Sequence, residues 1–137
     1  MTTIVVKIKG LKGLQQRFRQ HPQITGRHVS KAINRTIEAI RSTTVPITPV
    51  DTGRLVGSYA KDSLRATPTR LFGAFRSKVP YAGFVHDIPP LGGRYKNPSK
   101  NKGAIKGFAA VGVKRAQRQI DRNFQRAADG ITRDLAK

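Results

Sequence analysis

Apolar and polar positions alternate at the start of the chain and change period soon afterwards. From Thr3 to Lys9, Ile4, Val6 and Ile8 fall on one side, with Val5, Lys7 and Lys9 on the other. A period of two built from β-branched residues predicts a strand, which Gly10 ends. A short helical stretch is expected over Leu11–Arg19. Between Thr25 and Thr44 the period lengthens: Val29, Ala32, Ile33, Thr36, Ile37 and Ile40 share one arc, opposite Arg27, Lys31, Arg35, Glu38 and Arg41. That is an amphipathic helix with a stripe wide enough to cover a sheet. Pro46 is expected to end it by disfavouring helical geometry at Val45. Thr48 to Gly53 reads as a turn, in which Pro49 fixes φ, Asp51 and Thr52 cap backbone amides and Gly53 takes φ > 0.

Three strand-like stretches follow. Leu55–Leu64 carries Tyr59 among small residues, Arg70–Ser77 carries Leu71, Phe72 and Phe75, and Tyr81–His86 carries Phe84 and Val85. Gly57, Gly73 and Gly83 within them suggest bulges or close backbone approaches. Residues 88–106 show no period and form an extended basic loop, with Arg94, Lys96, Lys100, Lys102 and Lys106 among prolines and glycines; a loop of that length points to function or disorder. The last element, Phe108–Leu135, is a long helix. Its seam is Val113, Ala116, Ile120, Phe124, Ala127, Ile131 and Leu135, and Arg115, Arg118, Arg122, Arg126 and Arg133 lie nearly opposite. Gly130 weakens its final turns by roughly 1 kcal/mol relative to alanine. The expected fold is therefore a single α+β domain over residues 1–137, in the order β-α-β-β-β-α. In it a small antiparallel sheet packs against two amphipathic α-helices.

Composition sharpens the picture through its sign. The 27 Lys+Arg stand against 7 Asp+Glu, a formal charge of +20. Self-repulsion at that density opposes a compact monomer and argues for a polyanion or an acidic protein surface as partner. Cysteine is absent, which excludes disulfides, zinc–thiolate sites and thiol nucleophiles. The chain has neither an apolar run near the ~18 residues that span a bilayer nor a signal-peptide pattern at its start, so no membrane role is expected.

Catalytic chemistry finds little footing. Glu38, Asp121 and Asp129 read as partners of neighbouring arginines on charged helix faces, Asp51 as a turn-former, and Asp62 and Asp87 have no carboxylate-pair spacing. His21, His28 and His86 are scattered. His86 beside Asp87 invites a proton relay, but no serine motif accompanies it, and no phosphate-cradling or dinucleotide glycine pattern is present. The expectation is a protein that is not an enzyme, with no catalytic residue, metal or cofactor. The basic residues remain. Without a base-reading motif or aromatics interleaved among them, any contact with nucleic acid falls on phosphates.

Two stretches resemble a phage family. Pro49-Val50-Asp51-Thr52-Gly53-Arg54-Leu55, followed by Ser58, resembles the P-x-D-T-G-x-L-x-x-S segment of siphophage head–tail joining and tail-completion proteins, the minor tail protein Z group among them. Tyr81-Ala82-Gly83-Phe84-Val85-His86 resembles the Y-A-x-x-V-H/E segment that follows, and Lys106-Gly107-Phe108 fits the lead-in to the family's last helix. The sequence departs from the pattern after His86, where Asp87-Ile88-Pro89-Pro90 replaces a glutamate and a Gly-Thr turn.

The resemblance implies a structural subunit of the virion neck or upper tail, assembled in the host cytoplasm. It implies a ring, commonly six-fold, joining head-closure or stopper proteins to tail-terminator or tail-tube proteins around double-stranded DNA. The motif residues Pro49, Asp51, Thr52, Gly53, Leu55, Ser58, Tyr81, Ala82, Val85 and His86 then have structural roles. Six copies would carry roughly +120, against about 20 phosphates on a ~35 Å length of duplex. Lumen DNA cannot balance that charge. The expectation is that Arg94, Lys96, Lys100, Lys102 and Lys106 face the channel or a neighbouring subunit, and that Arg115, Arg118, Arg122, Arg126 and Arg133 dock against partner proteins. The competing reading is an independent, sequence-nonspecific nucleic-acid-binding protein.

Overall fold

The computed structural model describes residues 8, 10–50, 53–61, 65–67, 70–72, 75–77, 79–82, 86–87 and 103–137; for 60, 61, 65–67, 70–72 and 75 it describes the backbone alone. Helices dominate these residues. Helix α1 is Leu11–Gln20 and α2 is Pro22–Thr44; a 3₁₀ turn Val45–Ile47 and the short α3, Arg54–Gly57, follow. Strands β1 (Tyr59–Lys61), β2 (Arg65–Thr67), β3 (Arg70–Phe72) and β4 (Phe75–Ser77) have three residues each, and α4 is Phe108–Leu135.

The expected α+β architecture is overturned. Among the described residues strand pairing is confined to β1 with β4 and β2 with β3, both antiparallel. Tyr59 pairs with Ser77 and Lys61 with Phe75, while Arg65 pairs with Phe72 and Thr67 with Arg70. The two ladders differ by one residue in register. This is a narrow ribbon, too short to offer the two helices a sheet to cover. Leu55–Leu64 opens as a helical turn, and the described residues of the third expected strand are not extended: Ala82 and His86 are both helical. The first predicted strand lies outside the described residues except for Ile8, which belongs to no element and packs against the core.

The apolar stripes that a sheet was expected to cover instead cover each other. Helices α2 and α4 run antiparallel, as three pairs show: His28 meets Gly130, Thr36 meets Asn123, and Thr44 meets Gly112. Along that seam Ala32, Ile40, Ala116, Ile120, Phe124, Ala127 and Ile131 are buried, joined by Leu14 from α1. Burying one such large aliphatic side chain contributes roughly 1.5–3 kcal/mol, and Ile120 and Ile131 are wholly enclosed. Leu135, expected on the seam, is exposed. Gly130 does not loosen the end of α4; it is buried against His28.

Helix α2 starts three residues before its predicted boundary, because Pro22 suits the first helical position, where its missing N–H costs nothing. At its other end Val45 is helical (φ −54°, ψ −47°), contrary to the proline rule. Thr48 explains this: its hydroxyl donates to Thr44 O at 2.8 Å and its N–H to Val45 O at 3.3 Å, closing a tight turn over Pro46.

Candidate functional site

The residues of the two family-like segments converge on a second, smaller core. Ile47, Leu55, Val79 and Phe108 are buried together, with Tyr59, Ala82 and Ile105 packed around them. Gly53 has φ +80°, the left-handed geometry that a side chain resists. Gly53 leads directly into α3, and Leu55 enters this core. Pro49 is buried. Asp51, Thr52 and Val85 lie outside the described residues. Ser58 anchors the turn: its hydroxyl donates to Leu55 O at 2.7 Å and lies 2.8 Å from Ser77 Oγ on the far arm of the ribbon. Tyr59 OH meets Thr48 Oγ1 at 2.8 Å, and burial pushes its pKa up to about 12 against the opposing effect of that hydrogen bond.

The lead-in to α4 closes the junction. Ile105 N–H donates to Ile47 O at 3.0 Å, and Gly107 N–H to His86 O at 2.7 Å. The His86 ring stands edge-on to Phe108, with centroids 5.0 Å apart. Its Nδ1 lies 2.9 Å from Asp87 Oδ1, and its Nε2 is buried without a partner among the described residues. Nothing nucleophilic is placed against His86 there. Its contacts tie the Tyr81–His86 segment to the start of the last helix. Tyr81 itself is exposed.

The cations are arranged differently from these motif residues. Arg115, Arg118, Arg122, Arg126 and Arg133 are all exposed along α4, and Lys106 is exposed just before it. Arg94, Lys96, Lys100 and Lys102 lie outside the described residues. Two of the three acids expected beside helix arginines hydrogen-bond to glutamines: Asp121 accepts from Gln117 and Asp129 from Gln125, each at 3.0 Å and four residues apart. Among the described residues no group of three His, Asp or Glu side chains could hold a metal ion, and no helix is long and apolar enough to cross a membrane. A cavity of about 300 Å³ between α1 and α4 is mainly apolar, lined by Leu14, Phe124 and Ala128 with Asp121 and Arg122 beside them.

No family model, curated protein or solved structure matches this chain. Its functional reading therefore stands on its own residues.

Several contacts carry no periodic signal. Arg17 reaches from α1 to Ala128 O at 3.3 Å and Thr132 Oγ1 at 2.6 Å. His28 Nε2 and Asp134 Oδ2 are 2.7 Å apart, and that hydrogen bond holds the Asp134 carboxyl below its ordinary value, helped by the charges of His28, Lys137 and Arg133. Buried Asn123 donates weakly to Thr36 Oγ1 at 3.4 Å and accepts from Gln119 at 3.0 Å. A clue to Asn123 was present: it lies beside Phe124 and one turn from Ile120, on the arc that had to be buried.

Proposed function

We propose that this protein is a non-enzymatic structural subunit of a phage neck or upper tail, forming a ring, of six copies on the family pattern, around the DNA channel. The observation that carries the reading is the convergence at the junction. The bend at Gly53, the Tyr81–His86 segment and the Lys106-Gly107-Phe108 lead-in are separated by up to some fifty positions, yet they share one small core. Residues at such a junction set the angle at which the ribbon and the α2–α4 pair leave one another. That is a building-block property. The narrow ribbon in place of the expected sheet alters the scaffold but leaves this junction intact.

Electron microscopy of particles assembled without the protein tests the proposal. Separate filled heads and finished tails are expected; normal joined virions would overturn it. The net charge of +20 favours a second reading, an independent nucleic-acid-binding protein. That protein would bind duplex as a monomer, form no rings and not co-purify with virions.

A further inference from the structure

We propose that the flank of the α2–α4 pair turned away from α1 binds the phosphate backbone of duplex DNA. This deepens the ring reading by naming the surface that meets the nucleic acid, and it rests on that reading only for where the DNA lies. Helix α1 covers one flank of the pair: Phe18 packs at Gly26 of α2, Leu14 joins the core beside Phe124, and Arg17 reaches Ala128 and Thr132 of α4. At about 100° per residue, the five arginines of α4 share an arc of roughly 80° centred on the other flank, with Arg122 also bordering the cavity beside α1. On α2, exposed Lys31 and Arg35 lie at least about 140° round from Gly26, on that same side. The antiparallel pairing of Thr36 with Asn123 sets Arg35 level with Arg122.

The result is one two-helix face. It carries Lys31, Arg35, Arg115, Arg118, Arg122, Arg126 and Arg133, with Glu38 and Asp129 as its acids. From Arg115 to Arg133 it is about 27 Å long at 1.5 Å per residue, and its two rows stand about 8–10 Å apart, the usual separation of packed helices.

Two features favour phosphate over an acidic protein. Stable protein interfaces are built around buried aromatic or apolar anchors, and none of the large exposed apolar residues (Leu11, Tyr81 and Leu135) lies on this face. Arginine in a regular row is also suited to a repeating anion, since its planar fork matches phosphate oxygens. The charge is of a fitting size. Five net positive charges per copy give about thirty in a six-fold ring, the same order as the ~20 phosphates on a ~35 Å length of duplex. The whole chain's charge exceeds that several-fold. This assignment moves the α4 arginines from protein docking to DNA contact.

The test measures the salt dependence of binding of the full chain to a short random-sequence duplex. Arg115→Gln/Arg118→Gln/Arg122→Gln/Arg126→Gln is compared with Lys96→Gln/Lys100→Gln/Lys102→Gln, after thermal melts establish that both variants fold. Each phosphate that a variant no longer neutralises reduces the log–log slope by about 0.9. The helix variant should fall short of the wild-type slope by about two to four units and the loop variant by less than one. An unchanged slope in the helix variant, or no binding by the wild type at low salt, would overturn the proposal. So would a helix variant that keeps its DNA affinity and loses its place in the particle, which marks a protein-docking face. Ring formation by the wild type without DNA is scored separately: a reduced slope without rings would remove the ring reading and leave this face standing.

Discussion

His28 fills the notch over Gly130, and its Nε2 lies 2.7 Å from Asp134 near the end of α4. A methyl group at position 130 would stand 2.6 Å from two ring atoms of His28, closer than side chains tolerate. On an isolated helix Gly130→Ala would be favourable by about 1 kcal/mol. Here the overlap decides the sign. The ring must leave, its hydrogen bond to Asp134 breaks, and a net destabilisation of about 1–3 kcal/mol is expected, as for other overpacked sites. In a His28→Ala background the notch is empty, so the same substitution should stabilise by up to about 1 kcal/mol. Denaturant melts of the four proteins test this; equal effects of Gly130→Ala in both backgrounds would show that the ring and the glycine do not interact.

Tyr59 offers a second test at this scale. Its folded pKa of about 12 lies above the ordinary value of 10.0, so the folded state holds the phenolic proton more tightly. The stability linked to that difference is fully present below pH 10 and disappears as the pH rises through about 12. One tyrosine should titrate late in ultraviolet absorbance, and Tyr59→Phe should remove that late step. It should also flatten the decline of stability between pH 10 and 12 relative to wild type. If all three tyrosines titrate together near the ordinary value, the burial of Tyr59 does not persist in solution.

Helices α2 and α4 approach closely because Gly112 has no side chain. An added Cβ there would lie 3.1 Å from the Thr44 Cα, and backbone cannot swing aside as a flexible side chain does. Gly112→Ala should force the helices apart at that end, at a cost of about 1–3 kcal/mol. Thr43 Oγ1, which donates to Gly112 O at 2.7 Å, would be drawn away from its acceptor. Thr44→Ala should recover only part of the stability, since the Cα remains. Full recovery in thermal melts would place the clash on the side chain alone.

Legibility in the sequence followed element length. The bounds of α4 were readable because a seam sustained over about six turns has no competing period. The central region misled because its apolar residues come in short runs among Gly57, Ala60, Gly73 and Ala74, where alternation and helical spacing cannot be told apart. The reading of a sheet followed from two broad apolar stripes, each of which needs a cover. It missed that Gly112 and Gly130, spaced along one edge of α4, mark a helix–helix seam. Of the candidate site, the bend at Gly53 and the exposure of the α4 arginines were legible. The joining of those arginines with Lys31 and Arg35 required the antiparallel pairing, which no local pattern encodes.

The whole molecule carries +20, and the part of it gathered on the α2–α4 face has a measurable consequence without any partner. Like charges a helix diameter apart repel through water until salt screens them. The screening length falls from about 30 Å at 0.01 M to about 8 Å at 0.15 M, comparable to the distance between the two helix axes. Over that range the repulsion across the face should weaken steeply, so the melting temperature of the isolated chain should climb with sodium chloride and then level off. Hydrophobic strengthening by salt would continue to rise instead of levelling. The Arg115/Arg118/Arg122/Arg126→Gln variant, with four of the face's charges removed, should melt higher than wild type at about 0.01 M and converge with it at high salt. If the two proteins show parallel salt curves, the face is not a site of electrostatic strain, and the excess charge is spread over residues beyond α2 and α4.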